Sequence, residues 1–380
     1  MGPTARQALI VVALALAAGP PPKSEIPELI HQLGGDTYVG RNKASLALTR
    51  IGPPALPALR LALTSTDAEI RRRAKRLVES IEKNTFREVR QFSGHGGSVN
   101  AVAFSPDGKR AASGDSSAVR LWEVATGKEI KSDDSHRDRV MAVAFSPDGK
   151  YVASGSEDRK VFLFEAATLR VVHTFRAHRA DVRAVVFTPD GKRLVSADLS
   201  GAVFVWSIPD GKQLARLPMT GLGNVLSAVP VGDEQLLLCP ASDNSAVLRT
   251  LDAKDTILYK FTQHAGKVVA TAVSRDGKHL LTASQDHTLI RWSLVTRKST
   301  HQLRGHTAPV SSVAISPDGK LAVSGGADKE LRLWDLVSGK AIRGLPGHTS
   351  TIWSVAVSPD GKYALSGSAD GTMRLWSVGP

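Results

Sequence analysis

Histidine, aspartate and serine are the residue types of a hydrolase triad, and this chain groups them several times over. His264, Thr282 and Asp286 are followed by Trp292; His306, Ser324 and Asp328 by Trp334; His348, Ser366 and Asp370 by Trp376. A further copy, His136, Ser154 and Asp158, ends on Phe164, which has no N–H to donate. A catalytic set is normally single and faces a cavity, whereas this one recurs and closes each time on an aromatic suited to strand packing. Metal binding fares no better, because histidines 41 or 42 residues apart fall on separate structural units. No enzyme activity, metal or cofactor is expected.

The spacing itself is the stronger signal. The histidines at 95, 136, 178, 264, 306 and 348 step by 41, 42, 86, 42 and 42, so one step is double. The closing aromatics are Trp122, Phe164, Trp206, Trp292, Trp334 and Trp376. Counting 43 residues on from Trp206, or back from Trp292, reaches Arg249 both times. A seventh unit therefore hides between His178 and His264, with its length kept and its markers lost.

Each unit reads as four strands. In the first these are 99–104, 110–113, 119–122 and about 129–131, with Ser105-Pro106-Asp107-Gly108 turning the chain. Proline presets φ in such a turn and glycine supplies its left-handed residue. The turn recurs as SPDG at Ser146, Ser316 and Ser358, TPDG at Thr188 and SRDG at Ser274, which makes its aspartates turn formers.

A period of about 40 to 45 residues with Gly-His near the start and Trp near the end is the signature of a propeller blade. Over residues 86–380 the chain resembles the WD-repeat β-propeller family, cleanest in 347–376. The resemblance implies a mainly β fold, a seven-bladed propeller over 85–380. It also implies a network in each blade tying His, Ser or Thr, Asp and Trp together. The full structural tetrads would be His264, Thr282, Asp286 and Trp292; His306, Ser324, Asp328 and Trp334; His348, Ser366, Asp370 and Trp376. Other blades depart. In the first, Asp115 is displaced by a one-residue deletion; in the third, Ser200 takes the Asp position and Asp198 lies two residues earlier. The fourth has Gly221 or Leu222 near the His position, then Cys239, Asp243 and Arg249. Four residues follow Trp376, too few for an outer strand, while 86–92 precedes His95 as other outer strands precede their histidines. That segment is expected to complete the last blade and close the ring, removing two open edges.

In this family, contact positions on the narrower face flank the first apolar residue of the inner strand and precede the tetrad Asp. The candidate partner-binding face is accordingly Asn100, Arg139, Met141, Glu157, Arg183, Lys267, Gln285 and Trp353, with Asn224 and Leu226 at the matching places of the fourth blade. Trp353 is the most anchor-like of these; the other reading is that it packs into the channel mouth.

The first ninety residues differ. They carry 14 basic against 8 acidic residues, nearly half the excess of a chain whose net charge is +13. An apolar run, 8–18, follows Arg6 and precedes three prolines; its 11 residues are too few to span a bilayer but suit a secretory signal. With Ala15-Leu16-Ala17 as a cleavage triplet, residues 1–17 are expected to be a signal peptide and 18–23 a Pro-rich linker. This implies export to a periplasmic or extracellular space, with no membrane span in the mature chain. A short buried helix in a cytoplasmic protein is the other reading. The single cysteine, Cys239, allows no intramolecular disulfide.

Residues 24–84 repeat with a period of 30: Pro27/Pro57, Leu29/Leu59, Leu33/Leu63, Arg41/Arg71, Ala44/Ala74, Leu48/Val78 and Ile51/Ile81. The stretch 57–82 resembles a HEAT-type helical hairpin, with Asp67 placed to cap its second helix. Two such hairpins are fewer than a solenoid needs, so the module is expected to lean on the propeller or on a partner. Its run RRRAKR, 71–76, reads as a solvated face with Ala74 and Leu77 inward and the arginines outward. The whole is expected to be a non-catalytic protein–protein interaction scaffold, a monomeric ring with protein partners. The alternatives are nucleic-acid or polyanion binding through the basic helical module, and, least supported, an enzyme in the propeller channel.

Overall fold

The computed structural model describes residues 21–218, 227–231, 234–241, 243–251 and 256–379. The expected signal segment 1–17 lies outside them, as do Gly221, Leu222, Asn224 and Leu226. The chain forms two compact units, one helical and reaching to Arg87, the other running Glu88–Val378.

The helical unit contains α1 (Ile26–Gln32), α2 (Tyr38–Ile51), α3 (Leu56–Ala62) and α4 (Ala68–Thr85). Its period of 30 is visible atom by atom. Pro27 and Pro57 sit in first turns, where the missing N–H costs nothing. The Thr37 hydroxyl caps α2 by accepting from Gly40 N, and the Asp67 carboxylate caps α4 by accepting from Glu69 N and Ile70 N. Arg41 Nη1 donates to the carbonyls of Gly35 and Asp36, and Arg71 Nη1 donates to those of Ser65 and Thr66. Each hairpin thus ties off its turn with the same guanidinium. Leu29 and Leu59, Ala44 and Ala74, and Ile51 and Ile81 form the matched core, whereas Leu33 is buried and Leu63 is exposed. The basic run departs from its expected orientation. Arg73 turns inward, donating to Glu69, Asn42 and Ser45, because α2 offers polar acceptors where α4 crosses it.

The second unit is a ring of seven four-stranded antiparallel sheets. Six blades are built from consecutive strands, such as Val310–Ile315, Leu321–Gly326, Leu331–Asp335 and Lys340–Leu345. The unmarked fourth unit folds as a blade too, from Ser227–Val231, Glu234–Pro240, Ala246–Thr250 and Ile257–Phe261. Arg249 faces Leu237 there just as Trp292 faces Leu280 in the next blade, with a bulge at the same place in the third strand. The aspartate turns form as the sequence suggests: Ser105 Oγ donates to Asp107, whose carboxylate accepts from Lys109 N, and Gly108 takes φ 69°. Consecutive turns abut, so that a Cβ on Gly149 would lie 3.6 Å from Pro106.

The apolar core lies between blades. One cluster joins Leu121 and Val119 of the first blade to Val152 and Phe164 of the second, and another joins Leu163 to Leu194 and Trp206. Contact is close enough that a Cβ on Gly155 would meet the Val182 side chain at 2.6 Å. Guanidiniums staple the outer rim: Arg110 donates to the Ala166 carbonyl at 2.8 Å and Arg291 to that of Leu336 at 2.8 Å.

Closure uses the N-terminal strand. Arg87–Phe92 pairs with Met373–Ser377 as the outer strand of the seventh blade. Glu88 pairs with Arg374 at 2.6 Å and Arg90 Nη1 reaches the Val124 carbonyl at 2.7 Å. Phe92 is fully buried, edge-on to Trp122 of the first blade with ring centroids 5.7 Å apart. Removing 87–92 is expected to lower the thermal midpoint sharply. The point variant Phe92→Ala should cost about 3–5 kcal/mol, and the exposed Val89→Ala about 0.5 kcal/mol or less. Denaturant unfolding followed by circular dichroism checks all three.

Candidate functional site: the channel mouth

The histidines that invited a catalytic reading are spoken for. In the fifth blade His264 Nδ1 lies 2.8 Å from Asp286 Oδ2 and Nε2 lies 2.8 Å from Thr282 Oγ1, which accepts from Trp292 Nε1 at 2.9 Å. His306, Ser324, Asp328 and Trp334 repeat this with distances of 2.7, 2.7 and 2.8 Å, as do His348, Ser366, Asp370 and Trp376. The indole can only donate and the carboxylate can only accept. The run of donors is therefore Trp to Ser or Thr, Ser or Thr to His Nε2, and His Nδ1 to Asp, with no nitrogen left for proton transfer. In the second blade His136 keeps Asp158 at 3.0 Å and Ser154 at 2.7 Å, while Phe164 fills the Trp position with carbon alone.

The third blade corrects the sequence reading, since it holds a complete tetrad. Asp198, not Ser200, takes His178 Nδ1 at 2.8 Å; Ser196 takes Nε2 at 2.7 Å and accepts from Trp206 at 2.9 Å. Ser200 Oγ supports it by donating to Asp198 at 2.6 Å. Asp115 stands at the same offset from its histidine in the first blade, yet it accepts from Arg120 Nε at 2.9 Å and from Gly96 N at 3.1 Å. His95 Nδ1 is left without a hydrogen bond and only Nε2 is engaged, 2.9 Å from Ser113. The difference lies one strand away, where the first blade has Arg120 and the third has Phe204, which cannot compete for the carboxylate. In the fourth blade Cys239 is buried, and Asp243 pairs with Lys260 instead.

Burial pushes the Asp158, Asp286 and Asp370 carboxyls upward. Hydrogen bonds outweigh it, from His136 on Asp158, from Thr288 and His264 on Asp286, and from Thr372, Thr349 N and His348 on Asp370, and hold each at about 2. Burial likewise lowers His178, His264 and His348 despite their aspartates, and it takes His95, with Asp115 turned away, down to about 4.

The candidate contact positions come together at one end of the channel through a repeated irregularity. The inner strands Val140–Phe145, Val182–Phe187, Val268–Val273, Val310–Ile315 and Ile352–Val357 all shift register after their first residue. A bulge leaves one residue outside the ladder and re-aims its side chain. Those residues are Met141, Arg183, Val269, Ser311 and Trp353, and Asn100 holds the equivalent place before Ala101–Phe104. All six line a cavity of about 400 Å³, together with Gln285, Pro309, Ala327 and Thr351.

Of the eight candidates, Asn100, Met141, Arg183, Gln285 and Trp353 line this cavity. Glu157 and Arg139 are linked to it through Arg183: Glu157 lies 3.0 Å from Arg183 Nη2 and 2.6 Å from Arg139 Nε. Lys267 does not line the cavity; its carbonyl accepts from Gln285 N at 2.9 Å. Trp353 is 46% exposed while lining the cavity, so the two readings of it describe one placement. Ala327 was missed because its type carries no chemistry, although it precedes Asp328 as Glu157 precedes Asp158 and Gln285 precedes Asp286. Among the described residues no three His, Cys, Asp or Glu side chains gather as a metal site would, and no helix is long and apolar enough to cross a membrane.

Seven blades, four of them pinned by a complete His–Ser/Thr–Asp–Trp network, with varied side chains round the channel mouth, define a repeat-built β-propeller. The family model described as WD domain, G-beta repeat matches residues 86–123, 127–165, 169–207, 255–293, 297–335 and 339–377, and the chain belongs to that family. Each match opens on an outer strand and ends on the third strand of the following blade, which is how 86–123 comes to begin with the closing strand. The first three strands of the fourth blade fall in the gap between matches, in keeping with its missing tetrad Trp. A search of curated proteins finds no match to the chain.

Acid should unfold the ring in two stages with the same sign. His95, ordinarily near 6.5, is held neutral down to about 4, so its contribution is complete above pH 6.5 and lost as pH falls through 4. The aspartates, ordinarily near 3.8, contribute above that value and lose it as pH falls toward 2. Urea unfolding at pH 7, 5, 4 and 3 is expected to show falling stability throughout, with a smaller fall between pH 7 and 4 in His95→Gln.

Proposed function

We propose that this protein is a non-catalytic interaction scaffold, a monomeric ring whose docking face is the channel mouth. The observation that carries the reading is Trp353: a large aromatic 46% exposed at the lip of a cavity, on a bulge that frees it from the ladder. Partly exposed tryptophans ringed by mixed side chains are what interfaces use as anchors. The tetrad histidines support a non-enzymatic role, since each engaged ring nitrogen serves strand packing. The helical unit, with its two matched hairpins, supports kinship with HEAT-type repeats and a second, smaller surface for a protein partner.

Binding of nucleic acid through the basic run is less well supported. Arg71 and Arg73 are committed to carbonyls and side chains of their own unit, and Arg72 pairs with Glu69 at 2.6 Å. Arg72 and Arg73 together hold the Glu69 carboxyl at about 2. Arg71, Arg72, Lys75 and Arg76 are exposed, but the first two already serve acceptors of their own unit, which leaves few uncommitted cations for a phosphate-tracking surface.

The test is affinity capture from the native compartment using the wild-type ring and Trp353→Ala. The variant is expected to melt like the wild type and to lose at least about tenfold in partner recovered, the usual scale for an anchor residue. Capture undiminished by the substitution would remove this face from consideration, and capture lost steeply with added salt would favour the polyanion reading.

A further inference from the structure

The chemistry of the docked partner can be taken one step further, on the premise that the mouth is the docking face. The cavity there is apolar along most of its wall, with Trp353, Met141, Val269 and Pro309 among its lining residues, and among the described residues its one ionised side chain is Arg183. The carboxylates that pair with this arginine, Glu157 and Asp181, do not line the cavity. Both are met by the same nitrogen: Nη2 lies 3.0 Å from Glu157 and 3.1 Å from Asp181. Among the described residues no hydrogen bond uses Nη1 of Arg183, and its Nε is buried without a partner. A guanidinium anchored from behind on one nitrogen, with its remaining donors unused, is set to receive another carboxylate.

The placement of the two groups narrows the partner. Arg183 belongs to the third blade and Trp353 to the seventh, so they stand on well-separated sectors of the ring. A volume of about 400 Å³ is at the low end for a ligand pocket and takes one or two side chains. We propose that the mouth binds an extended peptide segment carrying an apolar side chain, seated against Trp353, and a nearby Asp or Glu side chain whose carboxylate is received by Arg183. The apolar contact supplies the anchor and the charge-assisted hydrogen bond supplies selectivity, because a neutral isostere offers the remaining guanidinium donors a weaker acceptor.

Four probes distinguish the possibilities by fluorescence anisotropy. They are Gly/Ser peptides, capped at both ends, with one Leu and one Glu; the same with Gln for Glu; the Gln peptide with a free C-terminal carboxylate; and an oligothymidylate of similar charge. Wild type is expected to prefer the Glu peptide over the Gln peptide by about tenfold, the scale of one charge-assisted hydrogen bond. Arg183→Gln should abolish that preference and Arg183→Lys should keep part of it, while Trp353→Ala should weaken both peptides alike. The proposal is overturned if the Glu and Gln peptides bind wild type equally, if neither binds, or if the preference survives in Arg183→Gln. Equal binding of the free-terminus peptide or the oligothymidylate also overturns it. Equal binding of the Glu and Gln peptides that still depends on Trp353 would end this proposal alone, whereas peptide binding indifferent to Trp353→Ala would end the reading of the mouth as the docking face.

Discussion

A blade is apolar on both of its faces, and nothing within the blade can cover them. Each face must be covered by the next blade, and the obligation passes round until the ring meets itself. The core is therefore a set of clusters lying in the gaps, such as Leu236 and Leu238 of the fourth blade against Leu280 and Trp292 of the fifth. The same constraint explains why the closing strand matters beyond its few hydrogen bonds. Phe92 belongs to the gap between the last blade and the first, where it meets Val99, Val102 and Met373. Without it, the gap between those blades would lose one of its largest fully buried side chains.

Packing sheets face to face leaves polar side chains and strand ends to be fixed in place, and the tetrads do this from inside each blade. The network joins the loop before the inner strand, the second strand and the third, so it pins three pieces of chain with three hydrogen bonds. It need not be whole in every blade. The second blade loses the indole donor and keeps the rest, and the first sends its aspartate to an arginine. The two stand side by side, and each has an intact blade on its other flank. A repeat array distributes stability over many interfaces, which lets single blades drift while the ring persists.

The architecture was legible because period, turn chemistry and closing aromatics are local signals that survive in six of the seven units. Even the unmarked unit was recoverable, since its length alone placed Arg249 where the neighbouring blades have tryptophan. What could not be read was any outcome decided by a competitor on another strand. Asp115 and Asp198 hold the same offset from their histidines, yet only Asp198 binds its histidine; Asp115 is taken by Arg120, at whose place the third blade has Phe204. Arg73 turned inward for a similar reason: its acceptors, Asn42 and Ser45, lie one hairpin earlier in the sequence. At the mouth, the contact positions came from family resemblance, but not the arrangement that leaves Arg183 with idle donors.

The register shift in the inner strands has a consequence for how such a ring can change. The residue it sets aside stands outside the strand ladder and can be exchanged without altering it, even where, as with Ser311 and Arg183, its side chain reaches a neighbouring blade. Met141, Arg183, Val269, Ser311 and Trp353 differ in size, polarity and charge, yet the strands that carry them are alike. The fold thus keeps its grammar apart from its vocabulary. One scaffold can be rewritten at its mouth, blade by blade, into a different receptor with no renegotiation of how it folds.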